Sequence, residues 1–239
     1  MLGVSGVWLN VAGLILILIV LCYALIPNLL TRVFRVGAVT RGPAEPVVAL
    51  TFDDGPDPNY TPALLDALRA AGVRATFFVI AEKALERPHI IERMRREGHD
   101  VQVHGYRHAF VPWLTPWAAI RQVAGAASAL KQRFGIVTRF YRPTWGLCNL
   151  ASFVPWWRAS HRLITWSIMV GDWRVTEPEV LLQRILKRLR PGAVIVLHDS
   201  DETFGAEAGA PAGVIQLIPR LVEEVQARGY AFRTVAEWL

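Results

Sequence analysis

The chain has 239 residues, 53% of them hydrophobic, with a net charge of +6 and two cysteines. Behind a first apolar stretch about two hundred residues remain, enough for one domain with a full core. The positive balance favours anionic surfaces such as lipid headgroups or wall polymers; no nucleic-acid-binding motif accompanies it, and with Cys22 inside the apolar stretch, Cys148 has no disulfide partner within the domain.

From Val7 to Ile26 there is no charged residue. Twenty such residues match the length of a membrane-spanning helix. No basic residue precedes the run and no Ala-x-Ala-like site follows it, so residues 1–26 read as a retained single-pass anchor rather than a cleaved signal peptide. Residues 27–45, with Pro27, Gly37, Gly42, Pro43 and three arginines, read as a juxtamembrane linker, and residues 46–239 as the catalytic domain. The apolar run 47–52 predicts a strand. A helix follows near 61–71, opened by Thr61-Pro62 and stopped by Gly72. Then come strand 75–80, helix 88–97, strand 101–104 and helix 115–133, the last opened by Thr115-Pro116 and ended by Gly135. Strands 138–142 and 162–168, helix 177–189 and strand 193–198 continue the alternation. A loop over 200–213, a helix at 214–228 and a strand at 230–235 close it. Repeated strand–helix order predicts an α/β fold with a parallel sheet.

Chemistry-bearing residues gather where the apolar runs stop. Thr51-Phe52-Asp53-Asp54-Gly55-Pro56 places two carboxylates side by side at a strand end. Adjacent acids in a half-dry cleft repel each other, and a cation beside them relieves the repulsion. A turn in which Asp54 caps the next helix is the alternative. His104 and His108 follow a later strand. Two imidazoles and one carboxylate with open positions make a common catalytic metal site. Tyr141-Arg142-Pro143-Thr144-Trp145-Gly146, Gly171-Asp172-Trp173 and Val196-Leu197-His198-Asp199 stand at three further strand ends. In a barrel of parallel strands all these ends open on one face. His89, His99 and His161 read as structural, Asp57 as a turn residue, and Asp199 as serving the loop after it.

These motifs, in this order, resemble the polysaccharide deacetylase family (NodB homology domain, carbohydrate esterase family 4) over roughly residues 45–239. Thr51–Pro56 is identical to the family's first motif. His104-x-x-x-His108 matches the second, with Gly105 where Ser or Thr is usual. Arg142–Gly146 matches the third, Asp172-Trp173 the end of the fourth, with Met169 where that motif often begins with Asp, and Val196–His198 the fifth. The resemblance implies an irregular (β/α) barrel of about seven parallel strands. It implies a metal-dependent hydrolase that removes N-acetyl (or O-acetyl) groups from N-acetylglucosamine-type glycans such as peptidoglycan or chitin oligomers. Asp54, His104 and His108 would hold one divalent metal, zinc before cobalt, manganese or iron(II), which polarises the carbonyl and acidifies water. Asp53 would be the base and Arg142 its orienting partner. His198 would be the acid, tuned by Asp172. Trp145 would supply an oxyanion N–H, and Trp173 with Leu197 or Val196 would wall a pocket for the acetyl methyl.

Three other readings stand beside it: a deacylase of a lipid-linked sugar or small amide, an iron(II) oxygenase, and a non-catalytic membrane glycan binder. Asp53, Arg142 and His198 are hydrolytic parts that neither of the last two needs. The expected state is a monomer, anchored in the membrane, acting on an acetylated glycan. Arg32 and Arg35 after the span draw the domain toward the cytoplasm; the glycan substrates implied by the resemblance point to an extracytoplasmic domain, which is the expectation adopted.

Overall fold

The computed structural model describes residues 2–153 and 160–238. Strands β1 (Ala38–Val39), β2 (Val47–Asp53), β3 (Thr76–Ile80), β4 (Asp100–Gly105), β5 (Phe140–Tyr141), β6 (Arg162–Ile164), β7 (Ile168–Met169) and β8 (Ala193–His198) lie in one sheet in the order β1-β6-β5-β4-β3-β2-β8-β7, with β9 (Ala231–Phe232) also on β2. Every strand pairing is parallel. β6 and β7 lie near opposite ends of this order. The four steps from Ile164 to Ile168 nevertheless cover at most about 14 Å. The sheet must therefore curl until its ends nearly meet, giving an irregular (β/α) barrel.

Alternation along the strands sorts the residues. Leu50, Phe52, Phe77, Val79, Val101, Val103, Ile195 and Leu197 face outward into the larger hydrophobic cluster, against the surrounding helices. Ala49, Phe78, Phe140 and Ile164 face inward and form a small apolar floor with Val235. Above that floor the inward positions turn polar: Thr51, Gln102 and Arg142, then Asp53, His104 and His198. The helices are α3 (Thr61–Ala70), α4 (Ala81–Glu86), α5 (Pro88–Arg96), α6 (Pro116–Phe134), α7 (Pro178–Leu186) and α8 (Ala210–Ala227). The Thr115 hydroxyl caps α6 by accepting from Ala118 N–H, and Gly135 ends it in a left-handed turn.

Several expectations need correcting. The predicted strand 162–168 is two short strands, because the polar residues Thr165 and Ser167 interrupt it and their N–H groups turn to Val39 O and Val194 O. Helix α4 was not foreseen, and α8 begins at Ala210 instead of 214. The largest difference lies at the N-terminus. Helix α1 (Leu2–Val20) runs through a π-helical stretch, Leu21–Leu25, into α2 (Ile26–Arg32). Pro27 has no N–H to donate back, which suits an irregular turn at this point. The segment 27–45, expected to be a linker, is built into the fold: α2 packs on the domain and β1 pairs with β6. Within the helical stretch Trp8–Arg32 an 18-residue window has a mean hydropathy of 2.8, long and apolar enough to cross a membrane.

Candidate active site

Asp53 and His198 stand in register on adjacent strands, so both side chains enter the same end of the barrel. Asp54 follows with φ 77°, a left-handed conformation that Asp tolerates better than most residues. It swings the second carboxylate across to the histidine loop. There His104 Nε2 lies 3.1 Å and His108 Nε2 3.2 Å from Asp54 Oδ1. Burial alone would raise the Asp54 pKa. The imidazoles of His104 and His108 against Oδ1, with the charge of His198, hold it well below the usual carboxylate range. His104 Nδ1 lies 2.7 Å from Arg142 O, so Nδ1 carries the proton and Nε2 is left as a lone pair. Thr203 donates to the other Asp54 oxygen at 2.8 Å.

Asp54, His104 and His108 fit a metal ion. One atom from each lies within 4.8 Å of the others, and Asp54 Oδ1 has no hydrogen-bond donor of its own. An ion held at about 2.0–2.2 Å by N and O ligands spaces neighbouring ligands about 3 Å apart. The set suits zinc and other first-row divalent ions alike.

Arg142 is fully buried. Its Nη1 donates to Asp53 Oδ1 and to Thr51 Oγ1, each at 2.7 Å, and Nη2 donates to Thr165 O at 3.0 Å. The guanidinium lies 4.0 Å from the centroid of the Phe78 ring, part of the barrel's apolar floor. One nitrogen alone reaches Asp53, so this pairing is single-pronged. Asp172 Oδ2 accepts from the His198 backbone N–H at 2.7 Å and pairs with its Nδ1 at 3.1 Å. Burial would lower the His198 pKa, but Asp172, with Asp54 and Asp53 behind it, raises it to about 10.

Asp53, Asp54, His104, His108 and His198 line a cavity of about 290 Å³ together with Trp145, Trp173, Met169 and Val196. The Trp145 indole meets His108 edge to face at 4.2 Å, and Trp173 meets His198 at 6.0 Å. Trp145 has φ 53° inside a one-turn helix, strained backbone at a place where N–H groups lack intrahelical acceptors. Leu197 does not line the cavity. It points into the outer cluster, because alternation with His198 and Val196 sends it to the other face.

Sequence reasoning missed four contributors. Lys83, on α4, donates to Asp54 O and Ser200 Oγ, both at 2.9 Å, and pins the acid turn from behind. Asp199 is buried against Gly55, where a Cβ would collide with its carboxylate, and accepts from Thr61 Oγ1 at 2.5 Å. Burial raises its pKa to about 7. Gln122, on α6, accepts from Tyr106 N–H at 2.8 Å and Arg107 N–H at 3.0 Å, holding the loop between the histidines. Arg32, the last residue of α2, also lines the cavity. None of these has a local pattern to betray it. His99 and His161 are structural as expected: His99 Nδ1 accepts from Ala75 N–H, and His161 pairs with Thr138.

A curled parallel barrel with a two-histidine, one-carboxylate cluster and two acid–base pairs at the C-terminal strand ends defines a class of hydrolase, and comparison with known proteins says which. The polysaccharide deacetylase family profile matches residues 40–153. A chitooligosaccharide deacetylase of Sinorhizobium fredii is 32% identical over 200 residues, covering 82% of this chain and 93% of the relative. A peptidoglycan-N-acetylglucosamine deacetylase of Bacillus cereus is 29% identical over 189 residues, covering 79% of this chain and 66% of the relative. The crystal structure of the Bc1960 peptidoglycan N-acetylglucosamine deacetylase superposes with a TM-score of 0.79 at 27% identity, covering 87% of this chain and 95% of that one. The chain belongs to the polysaccharide deacetylase family and is an enzyme of the hydrolase class.

Proposed function

We propose that this protein removes acetyl groups from N-acetylglucosamine-containing glycans by metal-assisted hydrolysis. The reading rests on one observation above the others: the Asp53–Arg142 pair and the Asp172–His198 pair open into the same cavity as Asp54, His104 and His108. Asp54, His104 and His108 hold the ion, which when bound acts as a Lewis acid toward the amide carbonyl and toward water. Zinc leads the candidates. Asp53 takes the proton of the attacking water, and Arg142 fixes the carboxylate oxygen that is not used. The Trp145 N–H would meet the negative charge that develops on the carbonyl oxygen. His198 delivers a proton to nitrogen as the C–N bond breaks, so acetate and a free amine leave. Asp172 holds the imidazole in the tautomer that carries this proton. Val196 and Trp173 bound the space for the acetyl methyl.

The same reading makes the N-terminal helix a retained anchor. Its last turns carry contacts that cleavage would remove: Tyr23 donates to Leu114 O at 2.6 Å, and Asn28 bonds both Cys148 O at 2.7 Å and Cys148 N–H at 2.9 Å. The glycan substrates favour an extracytoplasmic domain. The direct test is acetate release from N-acetylglucosamine oligomers by the full chain in detergent, stripped of metal and then given zinc. Release in the restored sample alone is expected. No release from these oligomers or from a lipid-linked N-acetylglucosamine, in a sample with one ion bound per chain, refutes the reading.

A further inference from the structure

Arg32 connects two parts of this protein that the family motifs leave separate. It ends the helix that carries the apolar span, and it lines the catalytic cavity beside Asp53, Trp145 and His198. From Trp8 to Cys22 the helix stands clear of the domain; from Tyr23 one face is covered, with Ala24, Pro27 and Thr31 buried. Tyr23 therefore marks where the span meets the domain. It is hydrogen-bonded to Leu114, between Trp113 and Trp117, which are 84% and 73% exposed, and Phe110 packs on Trp113. Aromatic side chains gathered at one level beside an apolar span are the mark of a membrane–water interface. Nine residue steps separate Tyr23 from Arg32, so Arg32 stands about 13 Å farther along the axis, on the water side of that level.

Past Arg32 the cavity adjoins a groove of about 220 Å³, lined by Thr31, Arg32, Arg35, Thr40 and Ser167 among others. Neither Arg32 nor Arg35 pairs with a carboxylate among the described residues. Two guanidinium groups beside a small groove suit a phosphate. A neutral N-acetylglucosamine polymer offers these arginines no anionic partner.

Building on the deacetylase reading, we propose that the substrate is an N-acetylated amino sugar carried on a membrane lipid through a phosphate or diphosphate. Arg32 and Arg35 hold the phosphate on the water side of the span, and the acetamido group enters the adjoining cavity. The bond hydrolysed is unchanged; the lipid carrier stays attached to the sugar.

The test uses the full chain, zinc-loaded, in nanodiscs of zwitterionic phosphatidylcholine. Three substrates are compared by acetate release: polyprenyl-diphosphate N-acetylglucosamine, soluble N-acetylglucosamine 1-phosphate, and the neutral tetramer of N-acetylglucosamine. The expected kcat/KM is at least tenfold higher for the lipid-linked sugar than for either soluble one. Arg32→Gln is expected to lower it at least tenfold more for the lipid-linked sugar than for the tetramer, with partial recovery in Arg32→Lys. A tetramer turned over as well as the lipid-linked sugar, or an equal loss on both in Arg32→Gln, overturns this inference and leaves the deacetylase reading standing. Equal preference for the soluble 1-phosphate replaces the lipid carrier with a free sugar phosphate. No acetate from any substrate, with zinc bound, overturns both.

Discussion

Asp172→Asn isolates the charge that tunes His198. The substitution keeps the shape and one acceptor for the His198 N–H, and removes the carboxylate 3.1 Å from Nδ1. At that distance and an effective dielectric of about 20, the attraction between imidazolium and carboxylate is about 5 kcal/mol, roughly four pKa units. Water at the cavity mouth and the bound ion's positive charge reduce the net effect. Burial, which already pushes the imidazole toward neutrality, is then opposed only by the more distant Asp54 and Asp53. In the proposed mechanism the protonated form of His198 is the active acid, so its pKa sets the alkaline limb of the kcat/KM profile. We expect that limb to move to lower pH by at least two units in Asp172→Asn, with activity at pH 10 down roughly fiftyfold or more and the acid limb in place. The measurement is acetate release by the zinc-loaded full chain from pH 5 to 10. An alkaline limb that stays where it was refutes both the acid assignment and the pairing that supports it. Stability carries the same signature. The folded pKa lies above the unfolded value of 6.5, so the His198 contribution is full below pH 6.5 and is lost as pH rises toward 10. In Asp172→Asn this loss on raising the pH disappears.

Asp53→Asn abolishes turnover while one ion per chain remains, as measured by metal analysis; near-native turnover removes Asp53 as the base. His104→Ala loses both the ion and activity, because Nε2 is a ligand atom and no described histidine replaces it. Arg142→Lys keeps a positive charge but cannot reach Asp53, Thr51 and Thr165 O together. It lowers kcat at least tenfold, and unchanged kinetics contradict an orienting role. Asn28→Ala strips the Cys148 N–H and C=O of their partner. At about 1–3 kcal/mol for each buried group left unpaired, the midpoint of urea unfolding in micelles falls measurably. An unchanged midpoint shows that the helix is not docked in solution.

The residues at the strand ends were legible because each strand carries its own chemistry in a few consecutive letters, and a parallel barrel sends those letters to one face. The Leu197 assignment failed where local information was sufficient: with His198 facing the cavity, period-two alternation already placed Val196 inside and Leu197 outside. Lys83, Asp199 and Gln122 failed for a different reason. Each acts on a segment far away in sequence, and nothing near it in the chain announces the contact. The docking of Tyr23, Asn28 and Thr31 was hidden in the same way. A run of apolar residues states that a helix can enter a lipid bilayer, and leaves unsaid that its last three turns lie against Cys148 and Asn149. Strand 162–168 was misjudged because an apolar pattern was read through two polar residues whose backbone groups pair elsewhere.

Gly105 has φ 143°, and a Cβ there would lie 3.1 Å from Arg107 O and 3.2 Å from Gln122 Oε1. The same Gln122 oxygen holds the loop that presents His108. The two positions are therefore epistatic. A lineage restoring a hydroxyl residue at 105 while keeping this glutamine would pass through a crowded, strained loop, and one losing the glutamine first would pass through a slack one. Interconversion with relatives that carry serine or threonine here needs paired substitution, and swapping the second motif alone between family members is a poor way to transplant their specificity.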